Sequence, residues 1–175
     1  MSVREFDVVA PDPHGMLLVA GFAMAAACAP LSLLAREQPA RWIGAIVMVV
    51  VLGLVFRSTT RNGVALDGTT LRVRAGLHRL AVEVATLDLD AARIVDLPGE
   101  PALKPMLKTF GTSMPGDQAG HFRLRDRGKA FLLLTERRKV LVLSERSGRR
   151  LLLSLERPQA LLDALRAVTE RPDRR

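Results

Sequence analysis

The chain is poor in the residues that most often carry chemistry. Its 175 residues include one cysteine, one tryptophan, no tyrosine and three histidines. A lone cysteine excludes an internal disulfide framework and a zinc site built from several thiolates. His14, His78 and His121 stand in separate contexts, none with a second ligand at metal-binding spacing. No glycine-rich loop with a lysine is present to cradle phosphate. The sequence therefore predicts no metal, no cofactor and no catalytic residue, and a protein that is not an enzyme.

Two segments invite a catalytic reading and do not sustain it. The segment 111–116 (GTSMPG) places proline where a nucleophile elbow needs glycine, and it precedes strand-like sequence instead of joining strand to helix. It reads as a turn feeding the next strand. Asp88 and Asp90 share one face of the segment TLDLD opposite Leu87 and Leu89, which is ordinary for a solvated strand.

Lysine is scarce as well. Arginine outnumbers it 22 to 4 in a chain of net charge +8. Such an excess arises from compositional bias on any solvated surface or from a surface that meets anions, and both origins stand. Beyond residue 57 the only aromatics are Phe110, Phe122 and Phe131. Single-stranded nucleic acid wants exposed stacking platforms, so nucleic acid is not an expected partner.

What the chain does have is apolar sequence, 49% hydrophobic with a mean hydropathy of +0.17, alongside 25% charged residues. The two kinds are segregated. Residues 16–35 carry no charge, and at about 1.5 Å per residue a helix of that length covers about 30 Å, the thickness of a bilayer core. A second uncharged run, 42–56, is flanked by Arg41 and Arg57 and opens on Trp42, an interface-type residue. The short link 36–41 implies an antiparallel transmembrane hairpin. Arg4, Arg57, Arg61, Arg72 and Arg74 on one side against Arg36 and Arg41 on the other place both ends in the cytoplasm. Cys28 after three alanines imitates a lipoprotein cleavage site, but Glu5, Asp7 and Asp12 outnumber Arg4 where a signal peptide needs positive charge.

From residue 58 the period changes. In 70–75, Leu71 and Val73 face one way while Arg72 and Arg74 face the other, the mark of a half-buried strand. Segments 63–67, 80–84, 92–97, 121–125, 130–135, 140–143 and 149–153 read similarly, the last completing a meander. Residues 100–120, dense in proline and glycine, read as a loop. Pro158 opens a helix whose Leu161, Leu162, Leu165 and Val168 form one stripe.

The segments 111–116, 120–124, 128–130, 134–138, 140–143 and 153–158, followed by Leu162 and Leu165, resemble bacterial pleckstrin-homology-like domains, over most of residues 63–168. In such proteins the domain follows a transmembrane hairpin. The resemblance implies a mainly-β barrel or sandwich of about seven strands closed by a C-terminal helix. Arg72 and Arg74 match the basic-x-Arg pair of phosphoinositide-binding members, but no lysine precedes them, so that recognition does not carry over. The expected organisation is a tail (1–15), a hairpin (16–57) and the β domain (58–175). The expected function is a two-pass, inner-membrane binding or scaffold protein whose cytoplasmic domain takes a protein partner or anionic lipid headgroups. Arg57, Arg61, Arg72, Arg74, Lys104 and Lys108 are the expected lipid contacts. The competing expectation is an accessory subunit of a membrane complex that pairs with another membrane protein through a strand edge.

Overall fold

The computed structural model describes residues 3–10, 46, 50, 53, 62–76, 78–114 and 116–170. Apart from the helical positions 46, 50 and 53, they form a mainly-β architecture of two sheets and a terminal α-helix. The first sheet is antiparallel, in the order β1 (Val3–Phe6), β2 (Gly63–Asp67), β3 (Thr70–Ala75), β4 (His78–Glu83). The second has six strands in the order β5 (Leu87–Val95), β9 (Val140–Glu145), β10 (Arg150–Ser154), β8 (Lys129–Leu134), β7 (Asp117–Leu124), β6 (Pro105–Met114). The helix α1 spans Pro158–Thr169.

Alternation explains the first sheet. Val64, Leu66, Leu71 and Val73 are buried, while Arg72 and Arg74 between them stay exposed. Gly68 adopts φ +58° in the two-residue connection that pairs Asp67 with Thr70. The second sheet is different, because its middle is covered on both sides. Phe131, Leu133, Leu141, Leu143, Leu151 and Leu153 join the inner face of the first sheet and α1 in one core. Leu132, Leu134, Val140, Val142 and Leu152 form a second core beneath Leu97 and Leu103. Strands with no solvent face read as uninterrupted apolar runs, as 130–134, 140–143 and 151–153 do. Each fully buried leucine contributes about 1.5–3 kcal/mol by area.

Several expectations are corrected here. The pleckstrin-homology-like barrel of about seven strands is replaced by two sheets with ten strands among the described residues, and the last three do not meander. β10 inserts between β8 and β9, parallel to β8 and antiparallel to β9. Ser154 pins this insertion, donating to the Glu136 carbonyl at 2.7 Å and accepting from the Glu136 N–H at 3.3 Å. The expected loop 100–120 supplies β6 and the start of β7. The amino-terminal segment expected as a tail contributes β1, antiparallel to β2.

The transmembrane hairpin is also corrected. No helix among the described residues is long and apolar enough to cross a membrane. The proposed spans 16–35 and 42–56 lie outside the described residues, apart from Ile46, Val50 and Gly53, which are helical. The membrane placement, the two-pass topology and the inner-membrane localisation rested on those apolar runs and the arginines around them, and this architecture does not carry them.

Candidate functional site

Of the six expected lipid contacts, the four among the described residues do not come together. Arg57 and Arg61 lie outside the described residues. Arg72 and Arg74 share the outer face of the first sheet, whereas Lys104 and Lys108 belong to the far edge of the second, before and within β6.

Register organises the charges of the first sheet's outer face into rows. At the β2–β3 turn stand Asp67, Thr70 and Glu83. The next row is Glu5, Ala65, Arg72 and Ala81, and the row after it is Gly63, Arg74 and Arg79. Asp67 and Glu83 thus stand at one end and Arg74 and Arg79 at the other, with Glu5 in the row between. Arg72 leans towards the acidic end and reaches Asp67 at 3.0 Å. Arg74 and Arg79 sit directly opposite one another, where Cβ atoms lie about 4.5–5.5 Å apart. The ion pairs among the described residues use Arg72, Arg93, Arg149 and Arg150, so neither member of this like-charged pair is neutralised by one.

Small neighbours leave room above the pair. Gly63, Ala65 and Ala81 floor an open cleft of about 960 Å³, with Asn62, Arg72, Arg74 and Arg79 on its basic side and Glu5 and Asp7 on the other. Asn62 accepts the Gly76 N–H at 2.8 Å through Oδ1, and its Nδ2 has no hydrogen-bond partner among the described residues. On the basic side the two arginine forks are donors only, a set fitted to an acceptor-rich anion such as phosphate or carboxylate, with Glu5 and Asp7 across the cleft. Arg72 and Arg74 are legible in sequence as the outward residues of one strand. Arg79 is not, because only the β3–β4 register brings it opposite Arg74.

Two of the histidines separated in sequence, His78 and His121, come closer in space. His78, opening β4, packs edge-on against Phe110 of β6 with ring centroids 4.9 Å apart, and His121 of β7 packs likewise on Phe131 at 5.1 Å. Burial holds His121 below the usual histidine range, and the charges of Arg149 and His78 lower it further. Among the described residues no three His, Cys, Asp or Glu side chains group so as to hold a metal ion. GTSMPG runs along β6 into the β6–β7 connection, with Ser113 Oγ accepting from Gln118 Nε2 at 3.5 Å.

Two further carboxylates are perturbed, in opposite directions. Burial pushes Glu145 up, but hydrogen bonds from Arg149 and Ser147 and the charge of Arg149 outweigh it and hold the carboxyl below its usual range. Asp117 has no such compensation. It is 2% exposed at the start of β7, neither carboxylate oxygen has a partner among the described residues, and desolvation raises its pKa to about 6. One step beyond the Gln118–Leu134 pair its strand neighbour is Thr135, also buried, whose Oγ1 is likewise unpartnered among the described residues. The chain matches no protein-family model, no curated protein and no solved structure.

Proposed function

We propose that this protein is a non-enzymatic binding domain that holds a phosphate-type anion in the arginine cleft of its first sheet. The single observation that carries the reading is the cross-strand pair Arg74–Arg79, left without an acid partner among the described residues over a floor of small side chains. Like charges placed opposite each other on a sheet destabilise it, and a bound anion reverses the sign of that interaction. The planar forks of arginine match phosphate oxygens bidentately, which lysine cannot do. Binding is electrostatic and weakens with salt.

Titration of the full-length chain with inorganic pyrophosphate, followed by calorimetry, tests this. Each charged hydrogen bond is worth about 1.5–3 kcal/mol, so Arg74→Gln or Arg79→Gln weakens binding about tenfold or more. Equal affinity of wild type and the double variant contradicts the reading. Parallel titrations with a phosphoserine peptide and with phosphatidylglycerol vesicles identify which bearer of the anion is preferred. The accessory-subunit reading is favoured by a different observation, the uncovered edge of the second sheet.

A further inference from the structure

Among the described residues β6 is the outermost strand of the six-stranded sheet, bonded to β7 on one side and to no strand on the other. Its ten residues extend about 33 Å. On an ordinary edge strand alternate side chains are buried, but here Met106 through Phe110 are exposed without alternation. Met106 is 76% exposed, Leu107 61% and Phe110 67%, three large apolar groups within five residues. A long apolar edge invites another strand, and natural proteins guard such edges against self-association.

The guards on β6 identify what it excludes and what it accepts. The register slips between Pro105 and Leu107 and again between Lys108 and Phe110, giving two bulges. The centre of the apolar patch 106–110 is Lys108. A two-fold pairing of β6 with a second copy that covers the patch would therefore place Lys108 against its own equivalent, and opposed like charges disfavour it. The surrounding charge has one sign. Residues 105–114 contain no acid; Lys104 precedes them, Arg123 pairs across from Leu107, and Arg125 donates its backbone N–H to the Lys104 carbonyl at 3.0 Å. None of these cations takes part in the ion pairs formed among the described residues. The nearby Asp126 is occupied by Arg150 and Gly128.

We infer that β6 is a docking strand for an extended acidic segment of a partner protein, which adds to the sheet edge. Its backbone continues the ladder, its apolar side chains cover Met106, Leu107 and Phe110, and its carboxylates face Lys108 and the neighbouring cations. The inference is independent of the arginine cleft, which lies on the other sheet.

The probe is a blocked ten-residue peptide of alternating valine and glutamate, compared with its valine–lysine counterpart, on the full-length chain. The expected result is binding of the glutamate peptide, at least tenfold weaker binding of the lysine peptide, and inversion of that preference in Lys108→Glu. Strand addition uses the N–H groups of alternate residues, so of two glutamate peptides, one N-methylated at its valines and the other at its glutamates, one loses binding and the other keeps it. Phe110→Ser and Leu107→Ser weaken binding, and Leu107→Ser leaves the unfolding midpoint within a few degrees, because its side chain is already exposed. The inference is overturned if both charge patterns bind equally, if neither binds, or if both methylated peptides bind like the parent. It is also overturned if sedimentation shows a dimer that the peptide fails to dissociate and that Lys108→Glu abolishes. Arg74→Gln and Arg79→Gln leave peptide affinity unchanged, which separates this test from that of the cleft.

Discussion

β8 and β6 belong to one sheet, separated by a single strand, and their surroundings are opposite. Leu132 of β8 is fully buried, with one core above the strand and another below, whereas Met106 of β6 is 76% exposed. Both strands are apolar, so hydrophobicity does not distinguish a strand that holds the fold together from one left uncovered. Coverage does. At the centre the first sheet, α1 and the segment carrying Leu97 and Leu103 supply two lids, whereas at β6 the first sheet touches Phe110 through the edge of His78 and leaves Met106 and Leu107 exposed. Apolar surface without a lid, guarded by bulges and a lysine, is what a partner-specific edge requires.

The largest effect that sharpens this contrast is a truncation at the centre. Leu132→Ala costs about 3–4 kcal/mol in urea unfolding, whereas Leu107→Ala on the edge changes stability by less than about 0.5 kcal/mol. Comparable losses would break the comparison by making β6 part of the core. Next comes Asp117, where the edge ribbon meets the buried layer. Its carboxyl has an unfolded pKa of 3.8 and a folded pKa of about 6, so between these values the folded state binds the extra proton. Stability from this group is therefore full below about pH 4 and is lost as pH rises to about 6, by about 3 kcal/mol at most. Asp117→Asn is expected to flatten that limb and to be more stable than wild type at pH 7. Unfolding curves of the two proteins that run parallel from pH 4 to 7 would contradict it.

Smaller effects probe the joints. Ser154→Ala removes both bonds that tie β10 to the chain leaving β8, at about 1–2 kcal/mol of unfolding free energy. At the first sheet, Arg79→Gln relieves the repulsion with Arg74. It leaves stability within about 0.5 kcal/mol, in the stabilising direction, while weakening pyrophosphate binding. A destabilised Arg79→Gln would mean that the pair is satisfied in the free protein.

The parts legible in sequence are those where one physical signal acts alone. Period-two alternation marks β2 and β3, with Arg72 and Arg74 outward, and double burial turns β8, β9 and β10 into apolar runs. Their order is not legible, because nothing local in Leu151–Leu153 distinguishes pairing with β9 from insertion beside β8 as well. β6 was hidden by its own devices. Pro105 opens it where an edge tolerates a missing donor, and glycines interrupt its pattern. Gly111 and Gly120 face each other across the ribbon, and a Cβ on Gly120, at φ +115°, would fall 2.5 Å from the Phe110 carbonyl oxygen. Those residues signal a loop locally, while their spacing in the ribbon serves close strand approach. The runs 16–35 and 42–56 show the reverse failure: hydropathy alone suggested spans that no helix among the described residues provides.

The most direct measurement is amide hydrogen exchange on the full-length chain, alone and with the valine–glutamate peptide. Without peptide, β8, β9 and β10 exchange slowest, while the amides of β6 that do not bond to β7 exchange fast. With peptide, those β6 amides alone slow markedly. Outer β6 amides already as slow as those of β8, or unchanged by saturating peptide, would contradict an uncovered edge built to receive a strand.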